Sequence, residues 1–197
     1  MTPTNTAAWS PWGRQPLAAN DNLPRVVAFT GVAGSGKSTA ADYLTSKGYT
    51  RIKFAGPLKA MCRAVGLSDE HIEGDLKERP LDWLQGKSPR QFMQRLGTEF
   101  GRDCIGPHFW VGLWERAALE VLDEGGRVVC DDCRFANEAD AVRKLGGVVV
   151  RLAGRGGLAG GHASESVDWE ADAMIGNHHG IDRLRENLDW VMREVAA

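Results

Sequence analysis

Gly31-Val32-Ala33-Gly34-Ser35-Gly36-Lys37-Ser38 decides the reading of this chain. An apolar run, Val26-Val27-Ala28-Phe29, leads into it, and Thr39-Ala40-Ala41-Asp42-Tyr43-Leu44 leads out, so the order is strand, glycine-rich turn, helix. In that context the pattern is a P-loop: glycines let backbone N–H groups turn toward an anion, and the helix that begins there adds its positive dipole end. Gly31, Ala33, Gly34, Ser35, Gly36 and Thr39 are expected to cradle the phosphates of ATP. Lys37 is expected to reach the β- and γ-phosphates, and Ser38 to ligate Mg²⁺ through its hydroxyl.

The composition sets the surroundings of this site. At 197 residues with 43% hydrophobic side chains, the chain suffices for one domain with a substantial core. A formal net charge of −2 argues against a protein that holds nucleic acid mainly through electrostatics. No apolar run approaches membrane-spanning length and the N-terminus carries no signal-peptide pattern, so a cytoplasmic protein is expected. Cys62, Cys104, Cys130 and Cys133 read as reduced thiols, and the Cys130/Cys133 pair has no partner pair at zinc-site spacing.

Working outward, residues 1–24 read as a flexible arm bearing Trp9 and Trp12, and residues 25–197 as the domain. Helix one is expected over about 36–47, closed by Gly48, and strand two over 49–54. Residues 55–126 then turn helical without returning to a strand. Within them Ser88, Pro89 and Gln91 make a capping box, with Phe92, Leu96 and Phe100 at i, i+4, i+8. A further helix spans about 107–124 with Trp110, Leu113, Trp114, Ala117 and Val121 at helical spacing. Strand three, 127–132, ends in Asp131 and Asp132. Helix 137–145, strand 148–152, a glycine-rich stretch expected to serve as a short lid over 153–165, strand 171–177 and helix 181–195 complete the chain. The alternation implies an α/β sandwich: a mostly parallel five-stranded sheet with helices on both faces, and ligands along the C-terminal strand edge. The P-loop, the segment after Phe54, the two aspartates and the glycine-rich stretch all follow strand ends and are expected to share one crevice.

Asp132-Cys133-Arg134-Phe135-Ala136-Asn137-Glu138-Ala139 resembles the D-x-R-F-x-N-E-A motif of deoxynucleoside monophosphate kinases encoded by bacteriophages. The resemblance extends to Phe54-Ala55-Gly56-Pro57-Leu58-Lys59, to Ser88 through Glu99, to Gly101-Arg102, to Phe109-Trp110 and to His162-Ala163-Ser164-Glu165. It spans about Val26 to Asn177 and departs from the family in its bare glycine-rich loop and in Asn177-His178-His179-Gly180 where the family ends N-x-G. The resemblance implies a P-loop kinase with a helical monophosphate-binding region over 55–126. It implies transfer of the ATP γ-phosphoryl group to a deoxynucleoside monophosphate, with Mg²⁺ as cofactor and nucleotides as the partners of a monomer or homodimer.

On that resemblance Phe54, Ala55, Lys59, Arg90, Gln94, Arg95, Trp110, Asp131, Asp132, Arg134 and Glu138 fall on the acceptor side. Asp132 is expected as the carboxylate for metal or substrate, with Asp131 second in line. Arg134 is expected to clamp phosphate between donor and acceptor, Arg151 and Arg155 to flank the lid on the ATP side, and Lys37, Asp132, Arg134 and Arg155 to form the catalytic set. The acceptor is a phosphate oxygen that is mostly ionised at neutral pH, so the reaction calls for cations and in-line positioning rather than a strong base. From the P-loop and sheet alone, a dephospho-coenzyme A kinase, another small-molecule kinase, or a P-loop ATPase of an assembly or nucleic-acid machine stay open.

Overall fold

The computed structural model describes residues 23–154 and 169–195. The arm through residue 22 with Trp9 and Trp12, and Arg155, His162, Ser164 and Glu165 of the expected lid, lie outside the described residues.

Strand β1 (Val26–Thr30) carries five consecutive buried residues because helices cover the sheet on both sides. Helix α1 (Lys37–Ser46) and strand β2 (Tyr49–Arg51) follow. Helices α2 (Gly56–Ala64) and α3 (Asp69–Ile72), two short 3₁₀ turns (Asp75–Glu78 and Asp82–Leu84) and helix α4 (Pro89–Arg95) build the helical region. Helix α5 (Phe109–Asp123) returns the chain to strand β3 (Arg127–Cys130). Helix α6 (Ala136–Lys144), strands β4 (Val148–Ala153) and β5 (Ala173–Gly176), and helix α7 (Ile181–Glu194) end the described chain.

The strands are ordered β2-β3-β1-β4-β5 and every neighbouring pair is parallel. Alternate residues of β1 point to opposite faces. Val27 and Phe29 join Leu44 of α1 and Leu184, Leu188 and Val191 of α7, whereas Val26 and Ala28 join Trp114 of α5 and Val142 of α6. A smaller core of Cys62, Leu67, Ile72 and Met93 holds the helical region together. Cys130 and Cys133 are buried free thiols, and burial pushes both above the ordinary cysteine range.

The helix that starts at Ser88 is capped as the sequence predicts: the Ser88 hydroxyl accepts from the Gln91 amide at 3.3 Å and the Gln91 side chain accepts from the Ser88 amide at 3.0 Å. It does not continue as an α-helix through Phe100. After Arg95 the backbone loosens into a π-helix, Leu96–Ile105, ending in an i→i+5 bond from the Gly106 amide to the Gly101 carbonyl at 3.1 Å. The 3.6-residue spacing that joins Phe92 to Phe100 therefore fails: Met93 is buried and Phe100 is exposed. The widened turn admits Trp110, whose indole N–H donates to the Gly97 carbonyl at 2.8 Å. At Gly101 a Cβ would lie 2.2 Å from Trp110 Nε1, so this contact requires a residue without a side chain.

Candidate active site

Three P-loop glycines adopt positive φ, +135° at Gly31, +76° at Gly34 and +101° at Gly36. Two of them are also hemmed in. A Cβ on Gly31 would lie 2.4 Å from the Leu152 carbonyl oxygen, and one on Gly36 would lie 2.5 Å from Asn177 Nδ2. Asn177 is buried at the end of β5 and donates from that same Nδ2 to the Ser35 carbonyl at 2.9 Å, so the far edge of the sheet props the loop from behind. The Lys37 ammonium lies along the loop and donates to the carbonyls of Gly31 and Val32, each at 2.7 Å.

The two aspartates after β3 diverge. Asp131, 4% exposed, accepts from the Ser38 hydroxyl at 2.9 Å through Oδ2. Arg51 Nη2 lies 3.1 Å from the same oxygen and Lys53 Nζ lies 3.5 Å from Oδ1. Asp132 turns the other way, accepting from the Phe54 amide at 3.0 Å and the Ala55 amide at 2.9 Å. It latches the start of α2 to β3. The sequence reading put Asp132 ahead of Asp131 as the metal carboxylate; the geometry brings Asp131, not Asp132, against Ser38. Consecutive residues leaving a strand face opposite ways, and no motif spacing tells which one meets the loop.

The residues at this corner suit a magnesium ion. Asp131 Oδ1 is buried and receives no hydrogen bond among the described residues, and it lies beside a serine hydroxyl, a hard oxygen donor set of the kind Mg²⁺ takes together with phosphate oxygens and water. No group of three His, Cys, Asp or Glu side chains among the described residues forms a self-sufficient metal cage. Ser38 and Asp131 are the protein groups that would hold it.

On the acceptor side the expected residues divide into core and surface. Phe54 is 3% exposed and its ring stacks on Trp114 with centroids 4.5 Å apart, so its ring is committed to the core and only its backbone faces Asp132. Trp110 is likewise core, 4% exposed. Lys59 pairs with Glu73 and Arg90 with Glu78, while Arg95 lies 3.7 Å from Glu99 and Gln94 is exposed. Arg134 is exposed where the chain leaves the aspartates for α6. Arg151 sits on β4 beside Thr30 and donates to the Trp169 carbonyl at 2.6 Å, across the start and end of the glycine-rich stretch.

Glu138 is buried rather than open to the crevice. Its carboxylate accepts from the amides of Arg134 at 2.8 Å and Phe135 at 3.2 Å, which caps α6, and from Arg102 Nη2 at 2.9 Å. Burial pushes this carboxyl up to about 7 against the opposing pull of those amides and of Arg102. The Arg102 guanidinium in turn lies 3.8 Å over the Phe135 ring. Arg51, Lys53 and Arg102 are missing from the sequence-based set. The two-residue spacing of Arg51 and Lys53 places both toward one face at the end of β2, a signal that alternation contained. The position of Arg102 depends on the π-helix, which has no sequence signature here.

A parallel sheet whose first strand runs into a glycine-rich cradle, with a carboxylate from the next strand against the loop serine, defines a P-loop α/β protein of the kinase type. One solved structure that it resembles agrees on the fold: TT1252 from Thermus thermophilus matches with a TM-score of 0.51 at 20% identity, over 87% of this chain and 98% of that one. The APS kinase CysC of Mycobacterium tuberculosis aligns at 16% identity with a TM-score of 0.45, over 86% of this chain and 96% of that one. The family model described as deoxynucleotide monophosphate kinase matches residues 69–188. A protein of Acanthamoeba polyphaga mimivirus called a "Putative deoxynucleotide monophosphate kinase" is 37% identical over 143 residues, 64% of this chain and 72% of that protein. The chain belongs to the deoxynucleotide monophosphate kinase family, whose members are nucleotide kinases. Among the described residues no helix is long and apolar enough to cross a membrane.

Proposed function

We infer that this protein transfers the γ-phosphoryl group of ATP to the 5′-phosphate of a deoxynucleoside monophosphate, giving the diphosphate and ADP. An oxygen of the acceptor phosphate attacks the γ-phosphorus in line, and the bond from that phosphorus to the β–γ bridging oxygen breaks. The observation that carries this reading is the contact of Ser38 with Asp131 at the P-loop, joined through neighbouring Asp132 to the segment that opens the helical region. One strand end thereby ties the donor side to the acceptor side. Lys37 neutralises the transferring group, and Gly31, Ala33, Gly34, Ser35, Gly36 and Thr39 contribute the loop that cradles ATP. Mg²⁺, held by Ser38 and Asp131, would supply charge neutralisation across the donor phosphates. Arg134 holds phosphate where the two substrates meet. Lys59, Arg90, Gln94 and Arg95 serve the acceptor, and Arg151 with Arg155 the ATP side of a lid.

The obstacle is repulsion between two polyanions, so the site's stock of cations matters more than an acid–base pair. An endpoint assay with ATP and Mg²⁺ against dAMP, dGMP, dCMP, dTMP, AMP and dephospho-coenzyme A tests the reading. Conversion of deoxynucleoside monophosphates to diphosphates, lost in Lys37→Ala and Arg134→Ala, is the expected result. Turnover of dephospho-coenzyme A alone, or ATP hydrolysis without any acceptor product, overturns it.

A further inference from the structure

We propose that Arg51, at the end of β2, is a positioning residue for the magnesium corner: its guanidinium sets Ser38 against Asp131 and turns that carboxylate so that Oδ1 is the oxygen offered to a cation. This rests on the ATP and Mg²⁺ part of the reading above and is independent of which acceptor is used.

Parallel pairing puts Arg51 in register with Val129, two residues before Asp131. In-register neighbours, and residues two apart, leave a sheet on the same face, here the face that α1 covers. Arg51 therefore meets both α1 and the strand end that carries Asp131. Its Nη2 donates to the Ser38 carbonyl at 2.7 Å and lies 3.1 Å from Asp131 Oδ2. Its Nη1 donates to Oδ1 of Asp42, one turn further along α1, at 2.9 Å. Two nitrogens thus serve three acceptors on two elements. Nε is buried without a hydrogen bond among the described residues, so those three acceptors orient the fork.

The consequence lies in the two oxygens of Asp131. Oδ2 accepts from the Ser38 hydroxyl at 2.9 Å and has Arg51 Nη2 beside it. Oδ1 takes no hydrogen bond among the described residues, and the cation it faces is Lys53 at 3.5 Å, on a flexible stem. One nitrogen of Arg51 therefore holds both the carbonyl of Ser38 and the carboxylate that the Ser38 hydroxyl reaches. That fixes the separation of the two protein groups that would hold Mg²⁺. Residues that orient metal ligands without touching the ion typically govern metal affinity by about ten- to a hundredfold. A lysine keeps the charge at this position but lacks the planar fork that reaches all three acceptors.

The test is titration calorimetry with a non-hydrolysable ATP analogue, in Mg²⁺ and in EDTA, on wild type, Arg51→Gln, Arg51→Lys and Asp42→Asn, with the thermal midpoint of each. The quantity read is the gain in affinity that Mg²⁺ brings. Arg51→Gln is expected to cut that gain about tenfold or more while binding in EDTA stays within about twofold of wild type, because the glycine cradle is untouched. Arg51→Lys is expected to stay within about threefold of Arg51→Gln, since charge without the fork does not set the geometry. A gain equal to that of wild type, an equal loss in Mg²⁺ and in EDTA, or full recovery in Arg51→Lys overturns the assignment. If both Arg51 variants fail to fold, exposed Asp42, which aims the other arm of the fork, decides: a loss of about threefold confined to Mg²⁺ in Asp42→Asn supports the proposal, and no change overturns it. A wild type that binds the analogue equally well in Mg²⁺ and in EDTA overturns the metal corner and this assignment with it. A wild type that shows the Mg²⁺ gain but phosphorylates no deoxynucleoside monophosphate defeats the acceptor reading alone, and the calorimetry still decides Arg51.

Discussion

The Ser38 hydroxyl donates to Asp131 at 2.9 Å, joining the first turn of α1 to the end of β3. Its neighbour Asp132 faces away, toward the Phe54 and Ala55 amides. Two adjacent carboxylates therefore have separable jobs. Asp131→Asn is expected to lower kcat by about a hundredfold and to raise the Mg²⁺ concentration needed for half-maximal activity. Asp132→Asn is expected to act first on stability, costing about 1–3 kcal/mol as two backbone donors lose an ionised acceptor. Magnesium titrations of activity alongside urea unfolding of the two variants check the division; a metal dependence shifted by Asp132→Asn alone would reverse it.

Asn177 supports the P-loop from β5 by donating to the Ser35 carbonyl. Asn177→Ala removes the donor from a buried carbonyl and opens space behind Gly36. A stability loss of about 1–3 kcal/mol is expected, together with a higher KM for ATP and little change in the acceptor KM. Steady-state kinetics with each substrate varied in turn would show this, and an effect confined to the acceptor would contradict it.

Glu138 gives stability a pH dependence. Its carboxyl is raised from 4.5 to about 7 in the folded chain, chiefly by burial. Between those values the folded state binds the proton that the unfolded state has released, so this group's contribution is full below about 4.5 and is lost as pH rises through about 7. Chemical unfolding at several pH values should show a downward slope across that window that is absent in Glu138→Gln. An identical slope in both proteins would place the titration elsewhere.

Gly101 lies under the Trp110 indole, where a Cβ would be 2.2 Å from Nε1. Gly101→Ala is expected to destabilise the chain by about 1–3 kcal/mol, since an indole boxed in by the core cannot move aside without repacking. The accompanying shift of the π-helix should also disturb the Arg102–Glu138 pair, which a fluorescence and thermal-unfolding comparison with Gly101→Ser and wild type would report. A variant as stable as wild type would mean that the indole has room to yield.

The open strand–turn–helix of the P-loop and the capping box at Ser88 are legible in the chain because each is set by neighbours within a turn or two. Hydrogen bonds to adjacent amides and local spacing decide them, and they reappear where the residues say. The π-helix is illegible for the opposite reason. Its wide turn is stabilised by Trp110 filling it from α5 and by Gly101 making way, and neither residue alone signals the partnership. Phe54 looks like a ligand-side aromatic in a motif, yet its ring stacks on Trp114 of α5 and lies in the core.

By itself the amino-acid sequence determined the order of strands and helices, the anion cradle, and which strand ends carry charged groups, since propensity, periodicity and glycine placement act locally. Only the tertiary structure decided which of two neighbouring aspartates meets Ser38 and that Asn177 stands behind Gly36. Those relations join residues far apart in the chain. They depend on the direction in which each side chain leaves its backbone, which is settled when the layers pack.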